Sequence, residues 1–306
     1  MSDNIITNLT KLDFKPTTNT SKTNSNIIAF KINDNYTIKK GVIYNVNENL
    51  AGDFSIPTGV NTIAENAFLN CNLIKSITMG EDVGLIDRSA FKFCQNLTQI
   101  NLSPSIKYIA SNLFQGCISL TTINIPSNVS YIGDFSFYYC TSLTQINIGD
   151  NITQLGKSAF SNCVRLETIN LSDSINVIEA DCFNNCQSLK IIKLPSSLTE
   201  IRQGTFKCCI DLTGVGFSEN LTYIGVSAFQ NCKSLRMADL PTSIDYISKF
   251  AFKNCKSLKR VYIRNALTTI EQGAFCNCLN TTIFCHKNST AYKYALDNNL
   301  KVQLLT

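Results

Sequence analysis

Cysteine and histidine are the residues of this chain best suited to metal binding or nucleophilic chemistry, and their spacing argues against both. Of the 14 cysteines, ten fall at strict intervals of 23 residues, from Cys71 to Cys278, which leaves Cys182, Cys208, Cys276 and Cys285. Cys276, Cys278, Cys285 and His286 bring four soft ligands together near the C-terminus. Their Cys-x-Cys spacing is tighter than the C-x₂₋₄-C of structural zinc sites, and Cys278 already belongs to the periodic set. His286 is the only histidine, so a single chain can build neither a His-based triad nor a two-His metal site. Hydroxyls and carboxylates recur with the repeat or scatter, and no acid pair, phosphate-cradling glycine loop or kinase signature is present. The expectation is a protein without catalysis, metal or cofactor. Periodic cysteines behave as small buried hydrophobes. Neighbours in such a column could approach the disulfide limit of about 7 Å between Cα atoms. Each could bridge only one neighbour, however, and a core column needs no bridges, so reduced thiols in the cytosol are expected.

The cysteines mark a larger period. A Phe stands at 68 and then every 23 residues to 275, ten times, and each is followed three residues later by a Cys. No insertion or deletion breaks this spacing between markers. A fixed period of that length is the signature of stacked supersecondary units that bury their apolar faces against one another. Apolar residues make up 44% of the 306 and charged residues 16%, enough for one continuous core. The net charge of +5 and a pI near 8.5 are too mild to argue for nucleic acid. No apolar leader follows Met1, and no apolar run is long enough to span a membrane.

Residues 1–26 are rich in Asn, Thr and Ser and are expected to be a flexible polar segment. Within them Ile5, Leu9 and Leu12 lie at helical spacing, with Ile6 and Phe14 beside them, as a docking helix or an end that folds back would require. Residues 27–49 are the expected N-terminal cap, with a hairpin turn at Lys39-Lys40-Gly41 between two strand-like runs. The solenoid itself is assigned to 50–285 and a C-terminal cap to 286–306. Counted from each marker Phe, apolar residues at +9 and +11 alternate as in a strand with one buried face. A second short extended piece has apolar residues at +15 and +18. The stretch around the Phe, such as Lys157-Ser158-Ala159-Phe160-Ser161-Asn162-Cys163, suits one or two helical turns.

These positions, Leu-x-x-Ile-x-Ile-Pro-x-x-Val-x-x-Ile-Gly-x-x-Ala-Phe-x-x-Cys-x-x-Leu, resemble the BspA-like leucine-rich repeats, and Leu120 to Leu143 is nearly a consensus copy. The ending from Asn288 to Val302 looks like the helix and strand that often close this family. The resemblance implies an α/β solenoid: a right-handed leucine-rich repeat horseshoe with a parallel concave sheet and about ten 23-residue repeats, used for protein recognition. Bacterial members are surface adhesins, while the protist type includes members without a secretion signal, which this Asn-rich chain resembles more. Ten strands at about 4.7–4.9 Å give a sheet on the order of 45 Å long, enough to hold a globular domain.

Function should lie on the strand residues that face away from the core, at +8 and +10. Through the first four coils these are Gln99, Thr122, Gln145 and Thr168, with Asn101, Asn124, Asn147 and Asn170. Beyond residue 190 they become Ile191, Lys193, Gly214, Gly216, Met237, Asp239, Arg260 and Tyr262, with Arg236, Lys259 and Arg264 nearby. Arg, Tyr and Met are enriched at interfaces, and bare glycine leaves room for a partner. The expected site is therefore this half of the face, centred on Met237, Arg260 and Tyr262, and the expected partner a globular acidic protein. Abundant cytosolic or cytoskeletal proteins such as actin fit that description. The alternative is an exported adhesin, for which the N-x-S/T sequons at Asn96, Asn128, Asn151 and Asn220 would be glycan sites. Lys249, Lys253 and Lys256 are expected on the convex side and rim. The pairs Tyr138-Tyr139 and Lys92-Phe93 stand there too, as a second candidate contact.

Overall fold

The computed structural model describes residues 30–33 and 35–305. The expected flexible segment at 1–26, with its helical spacing of apolar residues, lies outside them. The chain begins with antiparallel strands Phe30–Asn33, Tyr36–Lys39 and Val42–Val46. Lys40 and Gly41 between the last two are both left-handed (φ 49° and 76°), as a two-residue hairpin turn matched to the strand twist requires. Val42–Val46 then pairs in parallel with Thr62–Ile63, so the hairpin is also the first rung of the solenoid.

Two sides of each coil are parallel sheets. The main sheet has strands of about three residues, such as Gln99–Asn101, Thr122–Asn124 and Gln145–Asn147, each with its central Ile buried and its flanks exposed. The second has two-residue strands, such as Tyr131–Ile132 and Gln154–Leu155. Partners are 23 residues apart in both: Ile123 faces Ile146, and Ile132 faces Leu155. Identical coils can stack only in this register, because a one-residue slip would turn every Ile to solvent.

The third side is not helical, contrary to expectation. It is a chain of tight turns with left-handed residues two before and two after each marker Phe, for instance Ser158 (φ 51°) and Asn162 (φ 64°) around Phe160. Hydrogen bonding explains the difference. Phe91 and Phe93 donate their N–H groups across to Leu113 and Gln115 of the next coil, at 3.1 and 2.7 Å. The intervening Lys92 and Cys94 bond back within their own coil, to Ser89 and Phe91. A helix would direct all these groups along its own axis and leave neighbouring coils unbonded on this side. The repeats carry no helix, and the one described helix is Thr290–Asp297, capped by the Ser289 side chain accepting from the Tyr292 N–H.

The interior is built on two columns. The marker rings stack at 5.1–5.6 Å between centroids, and from Phe137 to Phe275 successive planes stay within 10°. Beside them, each of the periodic Cys from 94 to 278 donates its thiol to the carbonyl of the Phe 26 residues earlier, as Cys163 does to Phe137 at 3.2 Å. All fourteen cysteines are free. Burial pushes the Cys117 thiol up to about 12 from its ordinary 9.0. Both ends of the aromatic column are closed edge-on, by Phe54 and Tyr36 at the start and by Tyr294 at 6.0 Å from Phe275 at the finish.

Two measurements follow. Phe160→Ala opens a cavity in the middle of the column and should cost about 3–5 kcal/mol of stability in urea unfolding. Because the Cys117 thiol holds its proton more tightly folded than unfolded, its contribution to stability is fully present below pH 9.0 and falls as pH rises toward about 12. A thermal-unfolding series from pH 8 upward should show that loss, and exchanging Cys117 and its column neighbours for Ala should flatten it.

Candidate binding surface

The main sheet presents two outward rows of side chains. After Asp53, which accepts from the Ser76 hydroxyl at 2.7 Å, the rows of its N-terminal half are polar and uncharged, and Gln99, Thr122, Gln145 and Thr168 all stand exposed. From Ile191–Lys193 onward the same backbone carries different chemistry. Ile191 is 65% exposed and Met237 39%, while Ile192, Ala238 and Val261 beneath them are buried. Lys193, Arg236, Lys259 and Arg260 make no ion pair among the described residues, whereas Lys190 is held by Glu167 at 2.6 Å.

Asp239, Tyr262 and Arg264 form one packed unit. The Arg264 Nη1 sits 2.5 Å from the Asp239 carboxylate and also donates to the Leu240 carbonyl. Its guanidinium lies 5.4 Å from the centre of the Tyr262 ring, whose other neighbour is Phe284, stacked at 4.5 Å. Tyr262 is thus half-buried between a cation and an aromatic ring instead of standing free. Phe284 was hidden from pattern reading because the last repeat is one residue short. Arg260 pairs with Thr282 and Tyr262 with Phe284, an offset of 22, so counting by 23 from Tyr262 lands on Cys285. The strand Thr282–Cys285 extends the face, and Lys301–Leu304 pairs beside it in parallel.

On the turn side, the Lys249 and Lys253 ammonium groups lie 4.9 and 4.6 Å over the ring of Phe250, and Lys92 lies over Phe93 at 5.1 Å. Tyr138 meets Tyr139 and Phe135 edge-on. Lys256 borders a shallow depression beside Asn231, Asn254 and Asn277, whose side-chain amides bond to one another in a column at 2.8 Å. The sequon residues Asn128, Asn151 and Asn220 are exposed at one corner, each donating to a carbonyl of the preceding coil. No three acidic, His or Cys side chains converge among the described residues in a way that could hold a metal, and His286 is exposed. No described helix is long and apolar enough to cross a membrane. The arrangement offers a large patterned surface.

A parallel-sheet solenoid with in-register 23-residue coils and one outward ladder of strand residues defines a leucine-rich repeat protein. The chain belongs to the family of BspA-type leucine-rich repeat regions, whose model matches residues 6–91, 61–190, 107–236 and 176–303. A crystal structure of a leucine-rich repeat protein from Bacteroides ovatus is similar, with a TM-score of 0.61 and 24% identity over 83% of this chain and 84% of that one. Another from Eubacterium ventriosum aligns with a TM-score of 0.57 and 24% identity, over 74% of this chain and 64% of its own. These likenesses bear on the fold. No curated protein matches the chain. Leucine-rich repeats of this family generally serve as protein-interaction modules.

The packing separates residues that hold the face from residues that merely stand on it. Tyr262→Ala breaks the stack with Phe284 and the contact with Arg264, and should cost about 1–3 kcal/mol in urea unfolding. Met237→Glu and Arg260→Glu remove no internal partner and should stay within about 0.5 kcal/mol of wild type.

Proposed function

We propose that this chain is a non-catalytic cytosolic binding module, a scaffold or sequestering factor, that holds an acidic globular protein on the C-terminal half of its main sheet. The observation that carries this reading is the contrast between two halves of one face built on the same backbone. One half is Gln, Thr, Ser and Asn, with a single acid at Asp53. The other combines exposed Ile191 and Met237 with Lys193, Arg236 and Arg260, cations that make no ion pair among the described residues. Apolar anchors surrounded by charges are the makings of an interface with a core and a rim. Unpaired cations of one sign steer acidic partners, abundant cytoskeletal proteins among them. An exported adhesin is the second reading, favoured by the exposure of the sequon residues Asn128, Asn151 and Asn220.

The test is affinity capture from native cytosol, comparing wild type with the triple variant Ile191→Glu, Met237→Glu and Arg260→Glu, which leaves the Tyr262 stack intact. A protein retained by wild type and lost by the variant is expected. Equal retention by both would exclude this half of the face. Glycans on the chain recovered from its own cells would favour the adhesin.

A further inference from the structure

The face proposed to bind a protein contains a feature that indicates which part of that protein enters. We propose that Gly214 and Gly216 form a slot across the main sheet that receives an extended acidic peptide segment, with one bulky apolar side chain seated over Gly214 between Ile191 and Met237. This rests on the binding assignment above and specifies its partner.

Most other glycines of the chain have an internal reason. Gly41, Gly59 and Gly116 have left-handed backbone angles. At Gly133, Gly156 and Gly225 a Cβ would come within 2.5–2.8 Å of backbone in the preceding coil. Gly80 and Gly84 are equally open but lie in loops, whereas Gly214 and Gly216 stand inside a strand and have neither reason. A Cβ on Gly214 would meet nothing within 4 Å, and one on Gly216 would make only ordinary contact with the Lys193 side chain at 3.4 Å. Glycine inside a strand lowers stability, and it often marks a bulge, a bend, or a place where a ligand or another backbone comes close. With no close approach from within the chain, the space serves one from outside.

The backbone at this point is also reachable. The main-sheet ladder is interrupted at three places: between Gln99–Asn101 and Thr122–Asn124, between Thr168–Ile169 and Ile191–Lys193, and between Gly214–Gly216 and Met237–Asp239. At the first two, side chains stand over both strands. At the third, one strand is bare, and Val215 beneath it is only partly buried where Ile192 and Ala238 are buried. The walls, Ile191 with Lys193 on one side and Met237 with Asp239 on the other, are two strand spacings apart, about 9.6 Å. That width admits one extended chain or one large side chain.

Charge selects the occupant. Asp239 is already held by Arg264, while Lys193, Arg236, Lys259 and Arg260 around the slot make no ion pair among the described residues. Carboxylates flanking the apolar residue would meet them. A single-stranded nucleic acid would need open aromatic faces, but the Tyr262 ring is covered by Phe284 and the Arg264 guanidinium.

The slot can be filled without harming the fold. Gly214→Thr with Gly216→Asn restores the residue types that Thr122 and Asn124 provide in an earlier coil, and it should leave the melting temperature equal or higher. A phage-displayed library of random linear peptides, selected on wild type, should yield sequences with Leu, Ile, Met or Phe flanked by Asp or Glu. Their affinity should fall by about tenfold or more in the filled variant. Failure to enrich any peptide, enrichment without that pattern, or equal binding to both proteins would overturn the proposal. On a captured whole protein the two assignments separate. Loss with the Ile191/Met237/Arg260 variant but not with the filled variant would keep the face and remove the slot. Retention by both variants would remove both.

Discussion

Everything in this molecule depends on coils hydrogen-bonding to their neighbours on three sides, although each parallel ladder is interrupted in places. The two parallel ladders do this on two sides, and the alternating donors of the turn side do it on the third. Closure in 23 residues keeps the three sides in register, and the last coil, one residue shorter, shifts its pairing to Tyr262 with Phe284. The aromatic column has the same constraint in its interior: rings spaced at 5.1–5.6 Å leave no room for a displaced neighbour. The thiol column uses the remaining acceptor capacity of the Phe carbonyls, which already accept an N–H from the following Cys, as Phe137 does from Cys140 and Cys163. Burial and hydrogen bonding explain a cysteine at this position without redox or metal chemistry.

The sequence made the stack legible because its period comes from burial. Phe160, Cys163, Leu166 and Ile169 are inward and repeat, so the strand and the buried columns could be read from spacing. The turn side was misread because small residues around a buried Phe suit a short helix equally well. What could have decided it is the position two after each Phe, where Asn70, Asn162, Asn185, Asn231, Asn254 and Asn277 stand in left-handed conformation with Gly116. Asn and Gly are the residues that tolerate that conformation best. Phe284 was missed for a different reason: one residue is missing from the last repeat, and a count cannot see a register that only the ladder reveals. The individual residues of the candidate face were visible as a break in a polar row. Their pairings were not, since the Asp239–Arg264–Tyr262 unit joins residues on two strands and a loop.

With the interior committed to stacking, the outward rows of the main sheet are free to carry information. Changing Thr122 to the type found at Ile191 alters no buried contact, so a face of this kind can acquire a partner without altering the scaffold. The two glycines go further: they give up strand stability, on the order of 0.5–1 kcal/mol each relative to alanine, for open space. On this account the coils from Ile191 to Tyr262 are where the chain meets its partner, and the four preceding coils are spacer.

Amide hydrogen exchange of the full chain, alone and with the protein it captures, tests that account most directly. Binding at the proposed face should slow exchange at 213–217 and 236–239, where the ladder is open, and leave 99–101 and 122–124 unchanged. Protection concentrated in those earlier strands, or on the turn side around Phe93 and Tyr139, would contradict it.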